Sequence, residues 1–357
     1  MGTRKGLFSV ASDISRREWL LEGPHLAGYE VYHAILDPRD RRTAYAAVRH
    51  MVWGVHIHRS SDGGRTWDLL PEVPHHEPAD GSGRLTAIWY LAPGHSEEPE
   101  TVYAGIEPAG LFVSRDRAMS WEPVRGLNEH PSRDTWQAAK GGLALHSIHI
   151  DPREAARVYA AVSAGGLYRS DDGGGTWTPA NRGARADYLA ETRPESGHCV
   201  HRVVLHPAQP DRLYRQGHTG TYRSDDRGAN WTEISEGLPS DFGYAIATDP
   251  NDADTVYVIP EESSHVRTTV GGAITVYRSR NAGLDWRPLT RGLPQKNAYV
   301  TILREAIDTD ALDPCGVYFG TSSGHLFASR DGGDSWAIIA GFLPRILSVQ
   351  ASVVEDR

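Results

Sequence analysis

Apolar and aromatic residues in this chain come in short runs, each closed by a polar turn. "GLYRS" (166–170), "GTYRS" (220–224), "TVYRS" (275–279) and "HLFAS" (325–329) are alike. Short strands bounded by such turns predict β-hairpins. The turns share the pattern S-x-D-x-G-x-x-W. It reads Ser60, Asp62, Gly64, Trp67, then Ser170, Asp172, Gly174, Trp177, and recurs from Ser224 to Trp231 and from Ser329 to Trp336. Two copies are weakened, with Ala118 for the glycine before Trp121 and Asn281 for the aspartate before Trp286. Asp or Asn closes the turn through backbone amides. Glycine accepts positive φ. The tryptophan then returns a large apolar ring to the core.

A second pattern keeps the same period. "LDPRDRRTAYAAV", "IDPREAARVYAAV", "LHPAQPDRLYRQG" and "TDPNDADTVYVIP" each place a proline turn between two apolar runs. Each repeat therefore predicts four strands. Tryptophans 67, 121, 177, 231, 286 and 336 are 54, 56, 54, 55 and 50 residues apart. Four-stranded units at this period are propeller blades. Six repeats are complete. A seventh is assembled from the ends, about residues 1–23 (with Trp19) and 345–354, and pairing the termini removes an open sheet edge. The expected fold is all-β: a single seven-bladed β-propeller domain over 1–357, of four-stranded antiparallel blades, closed by its N- and C-terminal strands. Six blades with loose ends is the alternative.

Composition narrows the function classes. A net charge of −9 argues against a general nucleic-acid binder, which needs a basic surface. No run of about 18 apolar residues is present, so no membrane span is expected. The N-terminus lacks an apolar core of signal-peptide length. Two cysteines, Cys199 and Cys315, make no disulfide framework, and a cytoplasmic location is the expectation. Histidine stands out at 17 of 357 residues.

Candidate chemistry lies in the loops at the blade ends away from the tryptophan turns. Long loops run over 71–87, 125–145 and 181–200, with an insertion at 260–273. Loops between second and third strands offer His50, Glu107, Gln216 with His218, and Glu261 with Glu262. Aligning the proline turns puts Tyr32, His146, His201 and Tyr244 in register. Arg304 is a charge inside an apolar strand and needs a partner or ligand. Three readings compete. His50, His146, His201 and His218 hold a divalent metal (zinc, copper or manganese) that activates water. Or Glu107, Glu261 and Glu262 act as acid and base without metal. Or His and Tyr only fill the interior.

The repeated turn resembles the Asp-box, or BNR, repeat of the sialidase superfamily, and the chain is similar to bacterial BNR-repeat proteins labelled glycosyl hydrolase-like. That resemblance implies scaffold turns on the face away from the active centre. Similar repeats occur in sortilin-type receptors, xyloglucanases and photosystem II assembly factors, so fold alone does not fix function. Sialidase activity itself is not implied: the early Arg-Ile-Pro strand is missing, and sialidases have six blades. Xyloglucanases resemble two such propellers joined, with paired aspartates in the cleft, which one propeller does not form. The expectation is an enzyme, hydrolase or lyase in type, acting on a small polar molecule or glycan in an axial pocket. Glu107, His201 and Glu261 are its catalytic candidates; Tyr32, Arg304, Gln216 and Tyr244 position substrate. No nucleic acid or membrane partner is expected, and the chain is a monomer or homodimer. A non-catalytic binding or assembly scaffold is the alternative.

Overall fold

A computed structural model describes residues 1–76, 84–138 and 141–354. Parts of two of the long loops, residues 77–83 and 139–140, lie outside the described residues. The strands form seven four-stranded antiparallel sheets, the blades of a seven-bladed β-propeller. Blades I to VI open with first strands Glu30–Leu36, Ala87–Pro93, Ala144–Asp151, Val200–Leu205, Gly243–Asp249 and Ile307–Thr309. In each, the four strands follow chain order. Blade VII is built from both ends: Ile346–Ser348 is its first strand and pairs with Gly2–Thr3, followed by Gly6–Ala11 and Leu20–His25.

The tryptophan turns close by one repeated hydrogen-bond set. In blade III the Ser170 hydroxyl donates to Asp172 Oδ1 at 2.8 Å and accepts from the Gly174 N–H at 2.8 Å. Asp172 also accepts from the Thr176 N–H at 2.9 Å and its hydroxyl at 2.7 Å. The Trp177 indole N–H then donates to the Gly174 carbonyl. The bonds to the aspartate recur around Asp62, Asp116 and Asp331, and the indole bond recurs at Trp67. The glycine position has positive φ in each, +90° at Gly64 and +97° at Gly174, and Ala118 adopts +66° in its place.

By compactness the chain forms two units: Gly28–Val200 with Gly228–Asn230, and Met1–Ala27, His201–Arg227 and Trp231–Arg357. The first carries blades I to III. Tyr45, Ile57, Leu91, Ile106 and Phe112 fill the space between blades I and II, and Tyr103, Leu145, Val158, Tyr168 and Trp177 that between II and III. The second carries the strands of blades IV to VII. Tyr214 and Ile246 join IV to V; Tyr257, Val276, Ile307, Phe319 and Trp336 join V to VI; Leu326, Ala340 and Ile346 join VI to VII. Each core layer is thus the apolar faces of two neighbouring sheets.

Candidate functional site

The first strands carry a repeated irregularity. In blade I, Val31 pairs with Val48 and His33 with Ala47, so Tyr32 is an extra residue. The same bulge singles out Trp89 in blade II, His146 in blade III and Tyr244 in blade V. A β-bulge re-aims the side chain it carries and is common beside functional sites. Tyr32, His146, His201 and Tyr244 each stand five residues before the Asp or His that opens the proline turn, and Glu305 holds that place before Asp310. In blade V the first strand starts where the second ends, with Gly243 opposite Pro260. The register residue therefore lies at the sheet end away from the tryptophan turn.

In the four-blade unit these ends assemble one cluster. The buried His201 ring lies 4.6 Å from Tyr244, 5.2 Å from Phe242 and 5.6 Å from His218, between ring centres. His201 Nδ1–H donates to the Gly243 carbonyl at 2.6 Å, which fixes the tautomer and leaves Nε2 as a lone pair. Arg267 sits 5.9 Å from the Phe242 ring centre and 6.0 Å from that of Tyr244, while Arg304 sits 5.9 Å from Tyr244. Burial, then the Arg304 and Arg267 charges, push the His201 pKa well below its usual value; burial and Arg267 lower that of His218. Both imidazoles are neutral at neutral pH. Neutral imidazoles are cation ligands, and these two stand side by side.

Glu261 adjoins this cluster at the end of the second strand of blade V. It is fully buried, and neither carboxyl oxygen makes a hydrogen bond of regular geometry, although the Ile302 N–H lies close enough to pull on its charge. Burial pushes its pKa up to about 8, against the pull of Arg267, the Ile302 N–H and Arg345. The chain beyond it forms a strap. Glu261 bridges Thr269, the Glu262 N–H donates to Thr268 O, and the Thr269 N–H donates to Val300 O. Thr301 Oγ1 donates to the Arg267 carbonyl at 2.7 Å, anchoring the strap where it presents Arg267. Gln216 spends its amide on the hairpin that carries His218. Its Nε2 donates to the carbonyls of Gly217, Gly220 and Asp241, and its Oε1 accepts from Thr221.

The other predicted residues lie in the three-blade unit. Tyr32 packs on Trp89 at 5.1 Å, and the Trp89 indole N–H donates to Glu107 Oε2 at 2.8 Å. Burial, then the Glu30 charge, raises the Tyr32 pKa. His146 has both ring nitrogens engaged, Nδ1 with Ser147 Oγ and Nε2 with the Val200 carbonyl. His50 Nδ1 accepts from the Val52 and Trp53 N–H groups and caps the hairpin tip. Sequence reasoning missed three residues. Trp89 escaped because its proline turn, "APGHSEEPE", lacks the Asp-Pro used for alignment. Phe242 precedes its strand, and Arg267 lies in a non-repeating insertion. The unpaired polar group beside an apolar strand end, Glu261, was the signal within reach.

Comparisons with known proteins agree with the repeat. The family described as BNR-Asp box repeat matches residues 222–234, and BNR/Asp-box repeat matches 168–179. The chain is thus a seven-bladed propeller that carries BNR/Asp-box repeats. It is 27% identical over 204 residues to an oligoxyloglucan-reducing end-specific xyloglucanase of Emericella nidulans, over 50% of this chain and 24% of that enzyme. It is 24% identical over 274 residues to a xyloglucanase of Hypocrea jecorina, over 65% of this chain and 32% of the other. The aligned part thus spans a quarter to a third of these relatives' length. Among solved structures, the GH74 xyloglucanase from Xanthomonas campestris superposes with a TM-score of 0.65 at 18% identity, over 95% of this chain and 52% of that one. YCF48 from Cyanidioschyzon merolae reaches 0.51 at 13% identity, over 87% and 84%. These two likenesses concern the fold.

Proposed function

We propose that this protein hydrolyses glycosidic bonds at the loop ends of the four-blade unit, with Glu261 as proton donor. The carrying observation is Glu261 itself, a buried carboxyl with no hydrogen bond of regular geometry and a pKa pushed up to about 8. A glycosidase acid must hold its proton at working pH, and burial in an apolar setting is how a carboxyl does so. Similarity to xyloglucanases over half or more of the chain supports a glycan as substrate. Phe242 and Tyr244 supply aromatic surface beside the acid. His218, half-buried and neutral, takes the proton of the attacking water. Because the strap covers Glu261, productive binding lifts residues 262–272 from the carboxyl.

Glu261→Gln should lower kcat on xyloglucan oligosaccharides and aryl glycosides by about 10²- to 10⁴-fold, as expected for loss of a general acid. Wild-type turnover should fall above about pH 8 as the proton is lost. Unchanged turnover in the variant sinks the assignment. One observation favours the second reading, a binding module. The hairpin tip Met51, Val52 and Trp53 is 94%, 69% and 67% exposed, an apolar cluster more typical of a partner surface. On that reading Trp53→Ala abolishes partner capture, and Glu261→Gln leaves it intact.

A further inference from the structure

The loop that leads from blade V to blade VI carries an exposed aromatic ring beside the strap. Tyr299 is 67% exposed, whereas its neighbour Val300 is buried. Single exposed apolar residues are ordinary and need no ligand. Tyr299 differs in being held on both sides. Asn297, at a φ of +56°, turns the chain, and asparagine tolerates that left-handed backbone. The Ala298 N–H then donates to the Gly272 carbonyl at 2.9 Å, and the Thr269 N–H donates to Val300 O at 2.9 Å. The Thr269 hydroxyl donates to the Ala298 carbonyl. The ring itself is seated on the strap: a Cβ at Gly272 would stand 2.8 Å from its Cε1 and Cζ, so glycine there makes the seat.

The same bonds fix how far this ring stands from Glu261. Thr269 bridges Glu261 on one side and pairs with Val300 on the other. The return leg of the strap is therefore the one strand between them. Paired strands lie about 4.8 Å apart, so the backbone at Tyr299 is two spacings, about 10 Å, from that at Glu261. Lifting the strap lengthens this somewhat. One sugar ring at the acid does not reach across such a gap, whereas a chain of about three units does. Tyrosine suits the far end of that chain. It offers a rigid, amphipathic surface at low cost in side-chain freedom, and a pyranose ring presents an apolar C–H face to stack on it.

We infer that Tyr299 is a stacking platform for a sugar unit beyond the cleaved linkage, and that through it the site selects glycan chains over short glycosides. The inference rests on the Glu261 site proposed above, and it narrows the substrate by length. Tyr299 is a positioning residue in this account: it holds a part of the substrate away from the reacting atoms and takes no part in proton transfer. Its removal therefore acts on substrate binding, whereas the loss of Glu261 acts on turnover.

The test is steady-state hydrolysis by the full-length protein of aryl glycosides and of β-1,4-gluco- and xyloglucan oligosaccharides, from disaccharide to hexasaccharide. In wild type, kcat/KM should step up by about 10-fold once the chain is long enough to cover the ring, the order expected for burying an aromatic face. Tyr299→Ala should erase that step by raising KM with kcat little changed, and Tyr299→Phe should keep it. Turnover of aryl glycosides, too short to reach the ring, should be the same in all three, which also reports that the variants fold. Leu284→Ala is the control, since Leu284 is 73% exposed on the tryptophan turn of the same blade. The absence of a length step in wild type, an unaltered step in Tyr299→Ala, or an equal loss in Leu284→Ala overturns the inference. If Glu261→Gln still abolishes turnover in any of these cases, the proposed acid stands without the platform. Failure to hydrolyse any of the sugars overturns both.

Discussion

Glu261 should leave a mark on stability as well as on turnover. In the unfolded chain its carboxyl titrates near the usual 4.5, whereas the folded protein keeps the proton to about 8. Below the lower value both states are protonated, and the favourable contribution is complete. Between the two, the unfolded chain releases its proton first, so stability is lost as pH rises, by about 1.4 kcal/mol per unit for this one group. His201 works in the opposite sense. Its folded pKa is depressed, so the unfolded chain takes up the proton first, and its contribution is regained as pH rises to the usual 6.5. The decline from pH 7 to 8 is therefore the cleaner signature of the acid. Urea melts between pH 5 and pH 8.5 should show Glu261→Gln with a flatter profile than wild type, the gap in their stabilities widening with pH. Parallel profiles would mean the carboxyl is ionised in the folded state, and the proton-donor role would fall with it.

At the scale of the element, the tryptophan turn makes a test of its own. Gly333 has a φ of +96°, and a Cβ there would stand 2.6 Å from Leu289 Cδ1. Gly173 has a φ of +73° with no atom within 4 Å of its would-be Cβ. Alanine at either site carries the cost of a left-handed backbone, roughly 1 kcal/mol. Only at Gly333 does a clash add to it, about 1–3 kcal/mol more. Chemical denaturation should thus rank Gly333→Ala well below Gly173→Ala; equal losses would show that the backbone angle alone sets the requirement. These turns were readable because each letter has a local job. Even so, the pattern as read left out one position. Thr66, Ser120, Thr176 and Ser335 each donate a hydroxyl hydrogen and a backbone N–H to the turn aspartate, two carboxyl-side bonds per turn that the x before tryptophan concealed. The bulges were not readable, since an extra residue in a strand shows only against its partner. What could be read was the common offset of Tyr32, His146, His201 and Tyr244 from the following turn. Arg267 and Phe242 could not be found that way. They belong to loops, where position comes from what the chain is tied to and not from a period.

The whole molecule depends on how the chain ends meet. Six blades could be counted from sequence because each repeats; the seventh had to be argued from leftover strands, and Ile346–Ser348 does pair with Gly2–Thr3. That pairing is short, two residues against three, and two strands of that length do not hold by backbone bonds alone. Its support comes from packing and from blade VI. Ile346 is fully buried against Leu326 and Ala340, and a Cβ on Gly320 would stand 2.3 Å from its Cγ2. The Val349 N–H donates to the Glu305 carbonyl at 2.7 Å, and the Ala351 N–H to Asp308. Closure is therefore tied to the same segment, 304–308, that brings Arg304 beside the Tyr244 ring. If the closing strand belongs to the cooperative core, Ile346→Ala should cost about 2–5 kcal/mol, the usual range for emptying a buried aliphatic position. It should also raise hydrogen exchange at the Val349 and Ala351 amides. A variant that frays at the terminus, with melting unchanged, would show the closing strand to be a latch on a unit already stable without it.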